Sequence, residues 1–151
     1  MARAVIENVV DIARPPTEVF DYASDHMREP EWNPAMRSIR KLTDGPVGLG
    51  TRYEMEFVPG KPMVGTCDRF DRPRSWEVTG RVFGMGVTLG GKVTPTPTGS
   101  HLVFRTEFRS NGLRAVALPL IRRRMAPAMQ RNVERIKAIL ESAPAMGPSH
   151  V

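Results

Sequence analysis

Histidine is the side chain best suited to acid–base work near neutral pH, and this chain has three: His26, His101 and His150. His101 opens a predicted strand on its outer face, His26 stands at the end of a short helix, and His150 lies in the C-terminal tail. No histidine is therefore predicted to be catalytic. The histidines and the single cysteine, Cys67, show no spacing that assembles a zinc site, and one cysteine excludes an internal disulfide. The residues require neither a metal nor a cofactor. Cys67 reads as a small packing residue rather than a nucleophile. Its neighbour Asp68 sits on a strand whose two faces the pattern does not separate.

Three other polar residues fall on faces expected to point inward. Tyr53 brings a phenol that could act as an acid. Asn8, on the face of Ile6 and Val10, could bond a ligand carbonyl or satisfy a neighbouring backbone group. Thr106, between Phe104 and Phe108, could orient a ligand or serve as an ordinary strand residue.

These residues are positioned by a repeated period-two pattern. Residues 4 to 12 place Ile6, Val10 and Ile12 on one side and Glu7 and Asp11 on the other, which predicts a first strand. Pro15-Pro16-Thr17-Glu18 starts a short helix that stops near Asp25. Prolines at 30 and 34 allow only one further brief helical turn. Strands are predicted at about 35 to 43, 51 to 57, 62 to 70, 74 to 83, 86 to 94 and 101 to 109, joined by short Gly/Pro-rich turns that imply antiparallel neighbours. Tyr53, Met55 and Phe57 share an inner face, as do Trp76, Val78 and Val82. After Asn111, read as an N-cap, Leu113, Val116, Leu120, Met125, Met129, Val133, Ile136 and Leu140 recur at helical spacing. Pro119 and Pro127 should bend this long helix or split off its first turns. The expected organisation is one α+β domain over residues 1–143, with a disordered tail over 144–151.

Certain runs carry a resemblance: Pro15-Pro16-Thr17-Glu18-Val19-Phe20-Asp21-Tyr22, then Asp25, then Pro30-Glu31-Trp32-Asn33-Pro34, then Leu42-Thr43-Asp44-Gly45-Pro46-Val47-Gly48-Leu49-Gly50-Thr51. With the order strand, two short helices, six strands and long helix, they resemble the START-like or SRPBCC superfamily, in its polyketide cyclase/dehydrase branch, over roughly residues 3 to 141. The resemblance implies a helix-grip fold in which a curved antiparallel sheet of about seven strands wraps a long C-terminal helix. It also implies a cavity between them, of the kind used for lipids, sterols, polyketides and plant hormones.

The expected function is the binding of a hydrophobic small molecule in that cavity, with lining residues Trp32, Tyr53, Met55, Phe57, Trp76, Val78, Phe104, Met125 and Met129. Trp32 reads either as a residue of the pocket mouth, by analogy with the family, or as a core anchor. Met125 and Met129 read as adaptable wall or plain core. The alternative is a polyketide cyclase, aromatase or dehydratase holding its substrate there, with Tyr53, Asn8 and Thr106 as the candidate catalytic groups. The inner faces offer no poised ionised group, which favours binding.

Hydrophobic residues make up 40% and charged residues 25% of the chain, proportions of a folded protein. No stretch nears the roughly 18 apolar residues of a spanning helix, so a cytoplasmic location and no stable membrane insertion are expected. The net charge of +6 leaves an adaptor role open, docking an acidic partner or a membrane through Arg122, Arg123, Arg124, Arg131 and Arg135. Nucleic acid is not expected, because no basic segment carries interleaved aromatics. A homodimer is a further possibility.

Overall fold

A sheet with one dry face must bury that face, and its edge strands must find partners for their free backbone groups. The computed structural model, which describes residues 1–58 and 60–142, shows how this chain meets both demands. The tail predicted as disordered lies outside the described residues.

The strands are β1 (Ala2–Ile12), β2 (Met36–Lys41), β3 (Arg52–Phe57), β4 (Met63–Asp71), β5 (Ser75–Val82), β6 (Met85–Thr96) and β7 (Gly99–Ser110). They form one antiparallel sheet in the order β1-β7-β6-β5-β4-β3-β2, so the first strand closes beside the last. Helix α1 (Pro16–Ala23) and a 3-10 helix (His26–Glu31) follow β1; a second 3-10 helix (Gly112–Ala117) leads into α2 (Leu118–Ser142). This is the predicted helix-grip architecture, with β6 and β7 longer than their sequence patterns indicated.

The β5–β6 connection is the tightest. Val82 pairs with Met85, leaving Phe83 and Gly84 as a two-residue loop with φ of 52° and 76°. Positive φ at both positions matches the right-handed twist of the flanking strands and normally selects Asn, Asp or Gly.

Helix α2 runs along the free edge of β1. Arg122 Nε donates to the Val5 carbonyl at 3.0 Å, Gln130 Nε2 to the Val9 carbonyl at 3.1 Å and Lys137 Nζ to the Asp11 carbonyl at 2.7 Å. The Ala13 N–H completes the series by donating to Glu141 Oε2 at 2.8 Å. The spacing follows from geometry: from Arg122 to Gln130 a helix rises about 12 Å, and from Val5 to Val9 a strand advances about 13 Å. Side chains of α2 thus occupy backbone groups that would otherwise template another strand.

The start of the last helical region departs from expectation. Leu113, Val116 and Leu120, predicted on the buried stripe, are 92%, 77% and 55% exposed. As the prolines suggested, the first turns are split off, here as a 3-10 helix. Its winding of three residues per turn and the left-handed Gly112 (φ 63°) that begins it break the phase of the stripe. Asn111 makes no side-chain cap bond. Leu118 is buried where Leu120 was expected, and from Met125 onward the stripe holds, with Met125 and Met129 half-buried and Val133 and Ile136 buried.

Candidate functional site

The segment between α1 and β2 places three residues on one face. His26, Glu29 and Trp32 are spaced by three, the period of a 3-10 helix. All three are buried, while Met27, Arg28, Pro30 and Glu31 are exposed. Asp25 fixes the start by accepting from the Met27 N–H at 3.1 Å. Tyr22 ties the far end to α1 by donating to Glu31 Oε1 at 2.8 Å.

His26 enters the core and binds the sheet. Trp76 Nε1 lies 3.1 Å from His26 Nε2, and His26 Nδ1 lies 2.8 Å from Glu29 Oε1. Indole N–H can only donate, so Nε2 accepts, Nδ1 carries the proton, and Nδ1–H donates to Glu29. The second Glu29 oxygen accepts from Asn33 Nδ2 at 2.7 Å. The expectation that no ionisable group stands inside is therefore corrected: a buried His–Glu pair is present. It is satisfied within itself, and with its lone pair committed to Trp76 the imidazole is not free to act as a base.

Around this relay the aromatic rings touch in series. Trp32 packs edge-on against Phe104 at 5.5 Å between centroids, Phe104 against Trp76 at 5.9 Å, and Trp76 against Phe20 at 5.6 Å; the His26 ring lies 5.8 Å from Tyr53. Two buried donors in this cluster, Trp32 Nε1 and Tyr53 Oη, have no hydrogen-bond partner among the described residues. Burial first, and then the negative charge of Asp25, holds the Tyr53 phenol well above its ordinary range. Tyr53 is thus a protonated donor at neutral pH.

The other predicted residues divide into two groups. Met55, Val78 and Phe104 are buried with Tyr53 and Trp76, whereas Phe57, Met125 and Met129 pack against this core while only half-buried. Asn8 binds α2, its Nδ2 donating to the Ala126 carbonyl at 3.3 Å and to Gln130 Oε1 at 3.2 Å. Thr106 is buried on the inner face of β7, opposite Ile6. Asp68 is exposed and accepts from Thr79 Oγ1 at 2.8 Å. Burial pushes the Cys67 thiol up, in keeping with a packing role.

The centre of the sheet is filled by its own side chains. Trp76 lies flat over Gly91, where an added Cβ would meet its Cη2 at 2.5 Å; Met55 and Val78 likewise occupy the space above Gly65, each at 2.7 Å. Two open depressions lie away from this centre. One of about 500 Å³ is lined by Arg81, Gly84, Arg109 and Arg114, and one of about 430 Å³ by Arg3, Val5, Pro119 and Arg122. Between the sheet and α2 stand an aromatic core with two unused donors and a half-buried methionine border.

Comparison with known proteins agrees with this architecture. Residues 3–141 match the family described as polyketide cyclase/dehydrase and lipid transport. The chain belongs to that family. Among solved structures it is similar to the di-domain ARO/CYC StfQ from the steffimycin biosynthetic pathway, with TM-score 0.75, 16% identity, and 93% of this chain and 51% of that one covered. It is also similar to norcoclaurine synthase from Thalictrum flavum in complex with dopamine and hydroxybenzaldehyde, with TM-score 0.71, 20% identity, and coverage of 96% and 90%. A third likeness is to Ara h 8.0201, with TM-score 0.69, 19% identity, and coverage of 94% and 100%. At these identities the likeness is one of fold. No curated protein sequence matches the chain.

Proposed function

We infer that the chain binds a small, mostly apolar molecule bearing a hydrogen-bond acceptor, held between the inner face of the sheet and α2. The observation that carries this reading is the pair of unpartnered buried donors, Trp32 Nε1 and Tyr53 Oη. A buried donor without a partner costs about 1–3 kcal/mol, and a ligand carbonyl or carboxylate would recover that energy. Phe104, Met55 and Val78 supply apolar contact beside them. Met125 and Met129 form the adaptable border, since unbranched thioether chains re-pack at low cost. Among the described residues the hydrogen bonds of α2 to the sheet go to β1 and the residues just after it. Pro127 removes the helical bond to the Arg123 carbonyl. Both features leave the methionine side of the helix free to shift and admit a ligand.

The family description and the aromatic ligands of the norcoclaurine synthase complex support an aromatic or polyketide-like molecule. Cyclase or dehydratase chemistry on the bound molecule is a second reading, favoured by the phenol of Tyr53, which stays protonated and is placed to donate. Proximity within the cluster would then supply most of the rate.

Thermal-shift screening of fatty acids and aromatic ketones, with mass spectrometry of organic extracts, tests the binding reading. Stabilisation by an apolar acceptor is expected, with Trp32→Phe and Tyr53→Phe each weakening affinity about tenfold, the worth of one hydrogen bond. Absence of any apolar stabiliser would refute it.

A further inference from the structure

At the end of the sheet away from α1, the β5–β6 turn meets the second 3-10 helix, and apolar side chains there face solvent. Leu113, Val116 and Leu120 are 92%, 77% and 55% exposed, and Phe83 is 55% exposed. Leu113 and Val116 are one 3-10 turn apart and Leu120 follows four residues later, so the three form one stripe. Arg114 joins the two elements, its guanidinium lying over Gly84 within 3.1 Å of where a Cβ would stand. Phe83 stands at the same end of the sheet, its ring turned towards Gly60 of the β3–β4 connection, where a Cβ would meet its Cζ at 3.6 Å. It also holds left-handed backbone (φ 52°) in a turn that Asn or Gly would occupy with less strain. A bulky aromatic kept in a costly conformation and still left in water points to a role outside the fold.

Positive charge stands near this stripe. Arg81, Arg109 and Arg114 line a depression of about 500 Å³, with Ser110 and Asn111 adding polar groups. Arg3 and Arg122 line a second one of about 430 Å³ together with Pro119, next to Leu120 in the chain. Glu107 engages Arg109 at 2.8 Å and approaches Arg3 at 3.8 Å. Among the described residues Arg81, Arg114, Arg123 and Arg124 have no carboxylate partner. An apolar ridge near basic hollows matches the layering of an anionic bilayer, with acyl carbons below phosphates.

We propose that this end of the molecule docks on an anionic phospholipid membrane: Leu113, Val116, Leu120 and Phe83 enter the interface, and lipid phosphates seat against Arg81, Arg114 and the neighbouring arginines. The surface shares Arg122, Arg123 and Arg124 with the arginine face of α2 that the sequence suggested, adds the apolar stripe and Arg81 and Arg114 to it, and does not depend on the interior site. Docking is peripheral, because no described helix is long and apolar enough to cross a membrane.

Co-sedimentation of the full chain with phosphatidylcholine vesicles, with and without phosphatidylserine, tests the proposal. Binding is expected on phosphatidylserine vesicles, weakening as salt rises, because exposed charges are screened beyond about 10 Å at 0.1 M. Leu113→Ser/Val116→Ser/Leu120→Ser should lower partitioning by well over tenfold, since each apolar side chain adds roughly tenfold through its buried carbons. Arg81→Gln/Arg114→Gln should remove most of the phosphatidylserine preference. Phe83→Asn is the discriminating variant: it relieves the turn, so its melting temperature should rise while vesicle binding falls. Soluble glycerophosphoserine should not compete. Three results would overturn the proposal: no binding at low salt, unchanged binding by the folded serine variant, or a dimer in solution that the serine variant dissolves.

Discussion

Replacing Trp76 by Phe should expose how much the buried relay contributes. The substitution removes the donor to His26 Nε2, 3.1 Å away, in a site where His26 has no access to water. An acceptor orphaned in this way costs about 1–3 kcal/mol. The smaller ring also leaves a void of a few tens of Å³ above Gly91, worth about 1 kcal/mol at ~24 cal/mol per Å³. The sum is about 2–4 kcal/mol, or very roughly 6–12 °C in melting temperature for a chain of this size. Urea unfolding followed by circular dichroism measures it. The decisive comparison is a double-mutant cycle with His26→Leu: there the Trp76 N–H has already lost its acceptor, so Trp76→Phe removes an orphaned donor worth about 1–3 kcal/mol along with creating the void, and its net cost should fall to about zero or below. An identical cost in both backgrounds would show that the Trp76–His26 bond does not hold the 3-10 helix to the sheet, and the reasoning would fail.

Other predictions concern ionisation and the helix seam. Burial pushes the Glu107 carboxyl up, but Arg109 and Arg105, bonded to it at 2.8 and 2.9 Å, more than offset this and hold it below its ordinary value. Its folded pKa being the lower one, Glu107 contributes stability above the unfolded value of about 4.3, and loses it as pH falls through the folded value. The melting-temperature gap between the native chain and Glu107→Gln should therefore be open at neutral pH and close in acid; a constant gap would contradict the assignment. Burial likewise raises both tyrosines of the chain, Tyr22 and Tyr53, well above the ordinary phenol range. This stability is present below about pH 10 and is lost as pH rises past it, so tyrosinate absorbance should appear only together with alkaline unfolding. Asn8→Ala should cost about 1–2 kcal/mol, because it abandons the contacts to Ala126 and Gln130 where α2 meets β1. A change confined to ligand affinity would return Asn8 to the binding site.

Strand faces were legible because period-two alternation reports burial directly. Tyr53, Met55, Trp76 and Val78 are buried where their alternation placed them. The run from Met125 to Ile136 was legible for the same reason at helical period. His26 was not, because His26, Glu29 and Trp32 follow a period of three inside a proline-broken segment, which neither a strand nor an α-helix pattern detects. A search for buried-type residues at period three before Asn33-Pro34 would have found it. The filled centre of the sheet was hidden for a different reason. A period-two pattern does not mark Gly65 or Gly91 as places that other side chains cover, and only the fold brings Met55, Val78 and Trp76 across them. The exposure of Leu113, Val116 and Leu120 was obscured because helical spacing alone does not reveal that the first turns wind as a 3-10 helix.

The central claim is that the two unused donors in the aromatic cluster receive a ligand acceptor. The chain has two tryptophans, so its indole N–H groups give two resolvable nuclear magnetic resonance signals, and only one of them is already bonded inside the protein. On titration with an aromatic ketone that stabilises the fold, the Trp32 Nε1–H signal should move downfield while that of Trp76 holds its position. A stabilising ligand that leaves the Trp32 signal unmoved would contradict the account.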